Sequence, residues 1–328
     1  VSAPAVLIAP PVYRDRRVPY FRPLQEAGLE LRFNDLGRRL EEDELIARLD
    51  GVVATVAASE PYTERVFAAA PKLRCVARFG VGFDAVDVAA ASRHGVAVAM
   101  AFGANHEAVA DYALAHMLAQ ATRLLPHHAT VLEGRWGGGL HGGLWRRTVG
   151  ILGLGRIGRA VARRLKGFEC RLLAHDTAPD PAAAATLGVE LVGLDTLLAE
   201  AEILTVHLPR SPATTGLLGA AELARMRPGA VLVNTARGGI VDETALAAAL
   251  ASGRLAGAGL DVFANEPLEP GSPLRGLATV SLSPHVAGLD LTSERLVAER
   301  CTASILAVLA GRDPGPGLLL DRAVLRRS

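Results

Sequence analysis

The stretch "TVGILGLGRIGRAVARRL", Thr148–Leu165, decides the fold. It places Gly153, Gly155 and Gly158 between an expected strand, Thr148–Leu152, and an expected helix. A G-x-G-x-x-G pattern alone is a weak signal in a chain with 34 glycines, but here the strand–turn–helix context is right. The first glycine permits the tight turn, the second lets the backbone approach a pyrophosphate, and the third lets helix and strand pack closely. Amides at the helix start, at Arg156 and Ile157, then face the phosphates with the helix dipole behind them. The next strand ends in Asp176, where an acid would hold the ribose hydroxyls. Thr177, not a basic residue, follows it. A carboxylate there repels a 2′-phosphate, so the expected cofactor is NAD rather than NADP. The competing reading is a tight structural turn beside a surface aspartate.

Working outward, strands are expected at Arg171–His175, Val189–Val192, Ile203–His207, Ala230–Asn234, Ala258–Val262 and Thr279–Leu282. Before the motif, strand-like runs recur at Ala5–Ala9, Leu29–Phe33, Gly51–Val56, Leu73–Phe79 and Val96–Met100, with helical patterns at Tyr20–Ala27 and Glu41–Leu49. Such alternation implies an α/β protein of doubly wound parallel sheets. A long alanine-rich helix is expected from about Glu107 to Leu125, and an amphipathic one from Ser293 to Ala310. The glycine-rich "GRWGGGLHGG", Gly134–Gly143, reads as the crossing between two domains, or else as a surface loop within one.

Three segments sit just past expected strands: "NTARGG" with Arg237, "LDVFANEP" with Glu266 and "SPHVAG" with His285. Carboxyl ends of strands in an open α/β sheet face the ligand crevice. A permanent cation at the end of a buried strand needs an anion. Arg237 offers a bidentate fork for a substrate carboxylate, which is the expected anion. His285 can take a proton from a hydroxyl or return it, while Glu266 orients the imidazole and stabilises its charged form. Each has a plainer alternative: a structural ion pair for Arg237, a turn residue for Glu266 before Pro267, a capped loop histidine for His285.

Bulk composition narrows the function class. Half the residues are apolar, 21% are charged, and the formal net charge is +1, as in a folded globular protein without a basic stripe for nucleic acid. The 328 residues suffice for two domains. Cys75, Cys170 and Cys301 are odd in number and scattered, which fits a reducing cytoplasm rather than a disulfide framework or a zinc site. No signal-peptide pattern and no apolar run of membrane-spanning length is seen. His127, His128 and His141 make an unpersuasive metal site, and His94, His106, His116 and His175 read as structural or solvent-facing. Trp136 and Trp145 read as anchors of the glycine-rich segment, with substrate contact as the alternative.

The segments "RFGVGFDAVD", "GILGLGRIG", "TVHLPRSPATTGLL", "MRPGAVLVNTARGGIVDETAL", "GAGLDVFANEP" and "SPHVAG" together resemble the D-2-hydroxyacid dehydrogenase family, which includes phosphoglycerate dehydrogenase and glyoxylate/hydroxypyruvate reductase. The resemblance spans nearly the whole chain. It implies that Arg237, Glu266 and His285 are catalytic, and that Gly153, Gly155, Gly158 and Asp176 hold the cofactor. It adds His207 and Pro209 of "HLP", and Thr235 and Ala236 of "TAR", along the nicotinamide half, and Asp261 near the carboxamide. Val81 and Gly82 match a loop whose amides meet the substrate carboxylate, with Arg78 as an added charge or a surface pairing. The resemblance further implies a flavodoxin-like substrate domain of residues 1–100 and 286–328, a Rossmann cofactor domain of residues 101–285, a homodimer, and cleft closure over the substrate.

Some positions depart from the family pattern. Arg210 stands where leucine is common, Asp111 where glutamate is, and Asp290 where threonine is. Phosphoglycerate members often carry "RSAT" after the third strand, whereas "ATVAAS" here puts Ala54 at the arginine position, and no regulatory domain is expected after the last helix. Both points favour a small 2-hydroxy or 2-keto acid, of glyoxylate or hydroxypyruvate type, over D-3-phosphoglycerate. A formate dehydrogenase would carry glutamine where Glu266 stands. An NAD(H)-binding regulatory protein of corepressor type is the alternative from another class.

Overall fold

The structure, a computed structural model, describes residues 3–14 and 18–326. The chain divides into two compact units, Val1–Asn105 with Leu289–Ser328, and His106–Gly288. These edges lie a few residues beyond those expected from the sequence.

The first unit is built on a five-stranded sheet of β1 (Ala5–Ile8), β2 (Glu30–Phe33), β3 (Val52–Ala57), β4 (Cys75–Arg78) and β5 (Ala97–Met100). All pairings are parallel, in the order β2-β1-β3-β4-β5. This is the flavodoxin-like order. Strands β1, β4 and β5 are buried at every residue, as strands covered on both faces must be. Separate apolar clusters result, one around Leu7, Tyr62 and Phe67, another around Ile8, Tyr13 and Phe21. The helix Leu291–Leu309 returns to the second cluster with Val297, Cys301, Ile305 and Val308, the helical spacing of one buried face. Asp290 is its N-cap, accepting from the Ser293 amide at 2.6 Å, which accounts for its departure from the family pattern.

The second unit holds seven parallel strands, β6 (Thr148–Leu152), β7 (Arg171–His175), β8 (Val189–Leu191), β9 (Ile203–Val206), β10 (Ala230–Asn234), β11 (Leu255–Leu260) and β12 (Val280–Leu282). Their order is β12-β11-β10-β9-β6-β7-β8. Counted within the unit this is the Rossmann order with one added edge strand, and the winding reverses between β6 and β9.

Three expectations are corrected. The long helix stops at Ala121, and a second runs Leu124–Leu132. Between them Arg123 adopts left-handed backbone (φ 52°), and the Thr122 hydroxyl donates to Leu118 O at 2.7 Å. The glycine-rich segment 134–143 lies inside the second unit, so it is not the crossing between units. Strand β11 begins at Leu255 and ends at Leu260, not at Ala258–Val262. Gly257 and Gly259 weaken the strand signal, and their function is spatial. A Cβ on Gly259 would lie 2.6 Å from the His116 Cβ, and one on Gly257 would lie 2.3 Å from the Gln120 side-chain oxygen. The helix His106–Ala121 can lie against β11 only because these positions lack side chains.

Candidate active site

The nucleotide loop follows β6. Gly153 has φ 98°, and a Cβ there would meet His207 O at 2.7 Å. A Cβ on Gly158 would stand 2.1 Å from Gly153 O, so this glycine lets helix and turn close together. A Cβ on Gly155 would meet nothing within 4 Å, and the space above it is open. Gly155 is also the N-cap of the helix Arg156–Leu165, which has no side-chain cap. A helix start without a side-chain cap suits an anion. Asp176, directly after β7, accepts from the Leu154 amide at 2.8 Å and the Ala178 amide at 2.9 Å, which ties it to the glycine turn.

Past the winding reversal, burial holds the His207 imidazole down to about 3, so the ring is neutral. Its Nε2 pairs with the Thr205 hydroxyl at 2.9 Å, but its Nδ1 is sealed from solvent without a partner. The Thr235 hydroxyl is likewise buried and unpartnered, beside buried Ala236, while Pro209 is exposed. Buried polar atoms left unpaired are unfavourable unless something meets them. Together with the open cradle over Gly155, these groups fit a dinucleotide laid across the ends of β6 and β9.

At the end of β10, Asn234 shapes the next turn. Its side chain accepts from the Ala236 amide at 3.0 Å and donates to Arg237 O at 3.0 Å. Arg237, half-buried, donates to Ala236 O at 2.7 Å. A Cβ on Gly238 would collide with Phe263 O at 1.8 Å, so the turns after β10 and β11 are pressed together. Glu266 accepts from the Phe263 amide at 3.0 Å and meets His285 Nδ1 at 2.7 Å. Burial pushes its carboxyl up, but the His285 hydrogen bond and charge, the Phe263 amide and the Arg237 charge together hold it below the usual range. Glu266 is thus ionised and can only accept, so His285 Nδ1 carries the hydrogen and Nε2 is left for proton exchange. The His285 side chain is 49% exposed. Arg237 therefore already senses a protein carboxylate, in addition to the substrate carboxylate expected as its anion.

His285 has φ 56°, a left-handed conformation that costs a non-glycine residue about 1–3 kcal/mol. Asp261, fully buried, holds it there. Its backbone oxygen accepts from the His285 amide at 2.8 Å. Its carboxylate accepts from the Ser283 hydroxyl at 2.7 Å, the Val286 amide at 3.0 Å and the Ala287 amide at 2.9 Å. Asp261 was expected beside the carboxamide; in the structure its oxygens anchor the histidine turn. Neither Asn234 nor Ser283 was singled out in the sequence, although an amide and a hydroxyl one or two residues from a candidate site are recurrent turn-formers.

The remaining candidates lie in the first unit. Arg78 is buried and donates to Gly82 O at 2.9 Å and Ala57 O at 3.1 Å, pinning the loop that carries half-buried Val81 and Gly82. Ala54 is fully buried in the interior of β3, which ends at Ala57, so Ala54 does not occupy a strand-end position. In the second unit, Arg210 lies against the turn after Arg237, 3.9 Å from where a Gly239 Cβ would stand. The His127 and His141 rings meet edge to face at 5.7 Å. Among the described residues, no cluster of three or more metal-ligating side chains is formed.

Residues 114–287 match the family model of the D-isomer specific 2-hydroxyacid dehydrogenase NAD-binding domain. The chain is 40% identical over 314 residues to the D-3-phosphoglycerate dehydrogenase of Mycobacterium bovis, covering 95% of this chain and 58% of that protein. It thus spans little more than half the length of that relative. It is also 40% identical over 272 residues to the glyoxylate reductase of Korarchaeum cryptofilum, covering 81% of this chain and 82% of that one. A crystal structure of a protein from Thermus thermophilus superposes with a TM-score of 0.88 at 36% identity, over 97% of this chain and 100% of the other. With its seven-stranded parallel sheet, its glycine turn and these matches, the chain belongs to the D-isomer specific 2-hydroxyacid dehydrogenase family.

Proposed function

We propose that the protein is an NAD-dependent oxidoreductase that interconverts a small D-2-hydroxy acid and its 2-keto acid. The observation that carries this reading is the Glu266–His285 pair at 2.7 Å, with the imidazole turn locked by Asp261 and Arg237 on the neighbouring strand end. A bound nicotinamide supplies or receives the hydride. The unit His106–Gly288 holds that cofactor through Gly153, Gly155, Arg156, Ile157, Gly158, Asp176, His207, Pro209, Thr235 and Ala236. Arg237 binds the substrate carboxylate and adjoining oxygen, and His285 Nε2 takes the hydroxyl proton on oxidation or returns it on reduction. Glu266 stabilises the charged imidazole between these events. The unit containing residues 1–105 is the substrate domain, with Arg78, Val81 and Gly82 as its candidate substrate-binding residues.

Glyoxylate or hydroxypyruvate is the favoured substrate type. Neither Ala54 nor Ala57 of β3 supplies an arginine. The similarity to a D-3-phosphoglycerate dehydrogenase keeps that substrate as the second reading. A panel of glyoxylate, hydroxypyruvate, pyruvate and bulkier keto acids with NADH, run beside D-3-phosphoglycerate with NAD, separates the two. Failure of every substrate would favour a purely regulatory binding protein.

Asp176 sets the cofactor preference in this proposal. Asp176→Ala narrows the NAD-over-NADP ratio of kcat/KM by on the order of tenfold. A native enzyme that prefers NADP would overturn the assignment.

We also propose a cytoplasmic homodimer. Support comes from the helix Leu124–Leu132 and the segment after it, where Leu132, Trp136 and Leu140 are 74%, 93% and 101% exposed. An apolar patch of this kind marks an interaction surface. The three cysteines are free, and no helix among the described residues is long and apolar enough to cross a membrane. Sedimentation at micromolar concentration gives twice the chain mass; a single-chain mass would overturn the dimer.

A further inference from the structure

We propose that His116, on a helix away from the reacting groups, is a positioning residue that acts on the proton-transfer histidine through Ser283 and Asp261; the inference deepens the proposed reaction and rests on it.

His116 is 6% exposed and sits over Gly259, with Tyr112 edge-on at 5.3 Å. Its Nδ1 lies 2.7 Å from the Ser281 hydroxyl and its Nε2 lies 3.1 Å from the Ser283 hydroxyl. Gln120 donates to the same Ser281 oxygen at 3.0 Å. Ser283 donates to Asp261 Oδ1 at 2.7 Å, and that oxygen also accepts from the Val286 amide.

Donor counting fixes the direction of this chain. An ionised carboxylate only accepts, so the Ser283 hydrogen points to Asp261. The Ser283 oxygen must then accept, which places a hydrogen on His116 Nε2. A neutral imidazole with hydrogen on Nε2 accepts at Nδ1, so Ser281 donates there and itself accepts from Gln120. One tautomer satisfies all five groups in one polarity, from Gln120 through Ser281, His116 and Ser283 to Asp261. Burial pushes the His116 imidazole below the ordinary histidine range against the opposing charge of Asp261, which agrees with the neutral form.

The terminus of this chain gives it a functional consequence. Asp261 holds the strained His285 turn, and Ser283 is two residues from His285. Without the Nε2 donor, the Ser283 hydroxyl has lost its fixed orientation, and one of the bonds defining the Asp261 carboxylate loosens. A small displacement of the imidazole lowers the rate of proton transfer more than the binding of either ligand.

Three substitutions separate positioning from packing. In His116→Gln the side-chain nitrogen reaches the Nε2 position and still donates to Ser283. In His116→Asn it reaches only the Nδ1 position, and in His116→Leu no donor remains. His116→Leu and His116→Asn are expected to lose kcat for keto-acid reduction by about tenfold to a hundredfold. Their KM and NADH dissociation constant stay within about twofold, and His116→Gln retains most of the rate. A wild-type kcat in His116→Leu, or equal losses in the glutamine and asparagine variants, overturns the proposal. If these variants do not fold, Ser283→Ala carries the test with the same expected kcat loss, and an unaltered rate there overturns it equally. The imidazole 15N spectrum of the native protein gives a readout independent of turnover. The His116 resonance, identified by its loss in His116→Gln, should show the Nε2–H tautomer at neutral pH and titrate below the ordinary histidine range. Absence of that resonance overturns the relay; its presence in a protein that reduces no keto acid sustains the relay and overturns the dehydrogenase reading.

Discussion

His285→Ala lowers kcat by about 10²–10⁴-fold while NADH still binds, because the lost group moves a proton and does not hold the cofactor. The geometry makes this the larger of the two leading effects. His285 Nδ1 is committed to Glu266 at 2.7 Å, so Nε2 is the exchange nitrogen, and no other imidazole among the described residues is held by that carboxylate. Steady-state reduction of glyoxylate and hydroxypyruvate, with NADH binding followed by its own fluorescence, checks both halves. Near-native turnover in the variant would remove His285 from the mechanism. Glu266→Gln should fall between the two, since an amide can still meet Nδ1 but no longer stabilises the charged ring.

Arg237→Ala comes next, with an expected loss of about 10²–10³-fold in kcat/KM for the keto acid, the magnitude of truncating one partner of a charge pair. Arg237→Lys should recover little, because an ammonium does not reproduce a fork that binds two oxygens at once. The structure adds a second consequence. The Arg237 charge is one of the influences that keep the Glu266 carboxyl low, so its removal lets that carboxyl rise. The acid limb of the pH–rate profile then moves upward, as ionised Glu266 is lost at higher pH. An unchanged KM and kcat would show that Arg237 serves only the fold.

Much of this protein was legible in its sequence because the signals are local. The glycines between β6 and its helix declare the nucleotide turn, and the alternating apolar runs declare parallel sheets. Arg237, Glu266 and His285 each follow a strand, so a general rule about strand ends sufficed to bring them forward. Local signals failed where a distant side chain decided the conformation. The sequence places the start of strand β11 too late because Gly257 looks like a breaker until Gln120 is seen filling its space. The helical pattern in the sequence runs on through Thr122 and Arg123, because the left-handed turn at Arg123 has no glycine to announce it. Asp290 looked anomalous and proves to be a helix cap.

The sequence by itself determined the α/β class and the dinucleotide turn, and it brought forward Arg237, Glu266 and His285 as candidates. Those follow from residue type and short-range periodicity, which act within one element. Only the tertiary structure decided that Asp261 holds the His285 turn, that Glu266 bonds to His285 while feeling the charge of Arg237, and that His116 reaches Ser283 across 167 residues of chain. Those depend on hydrogen-bond direction and on charges brought within reach of one another, and neither exists until strands far apart in the chain lie side by side.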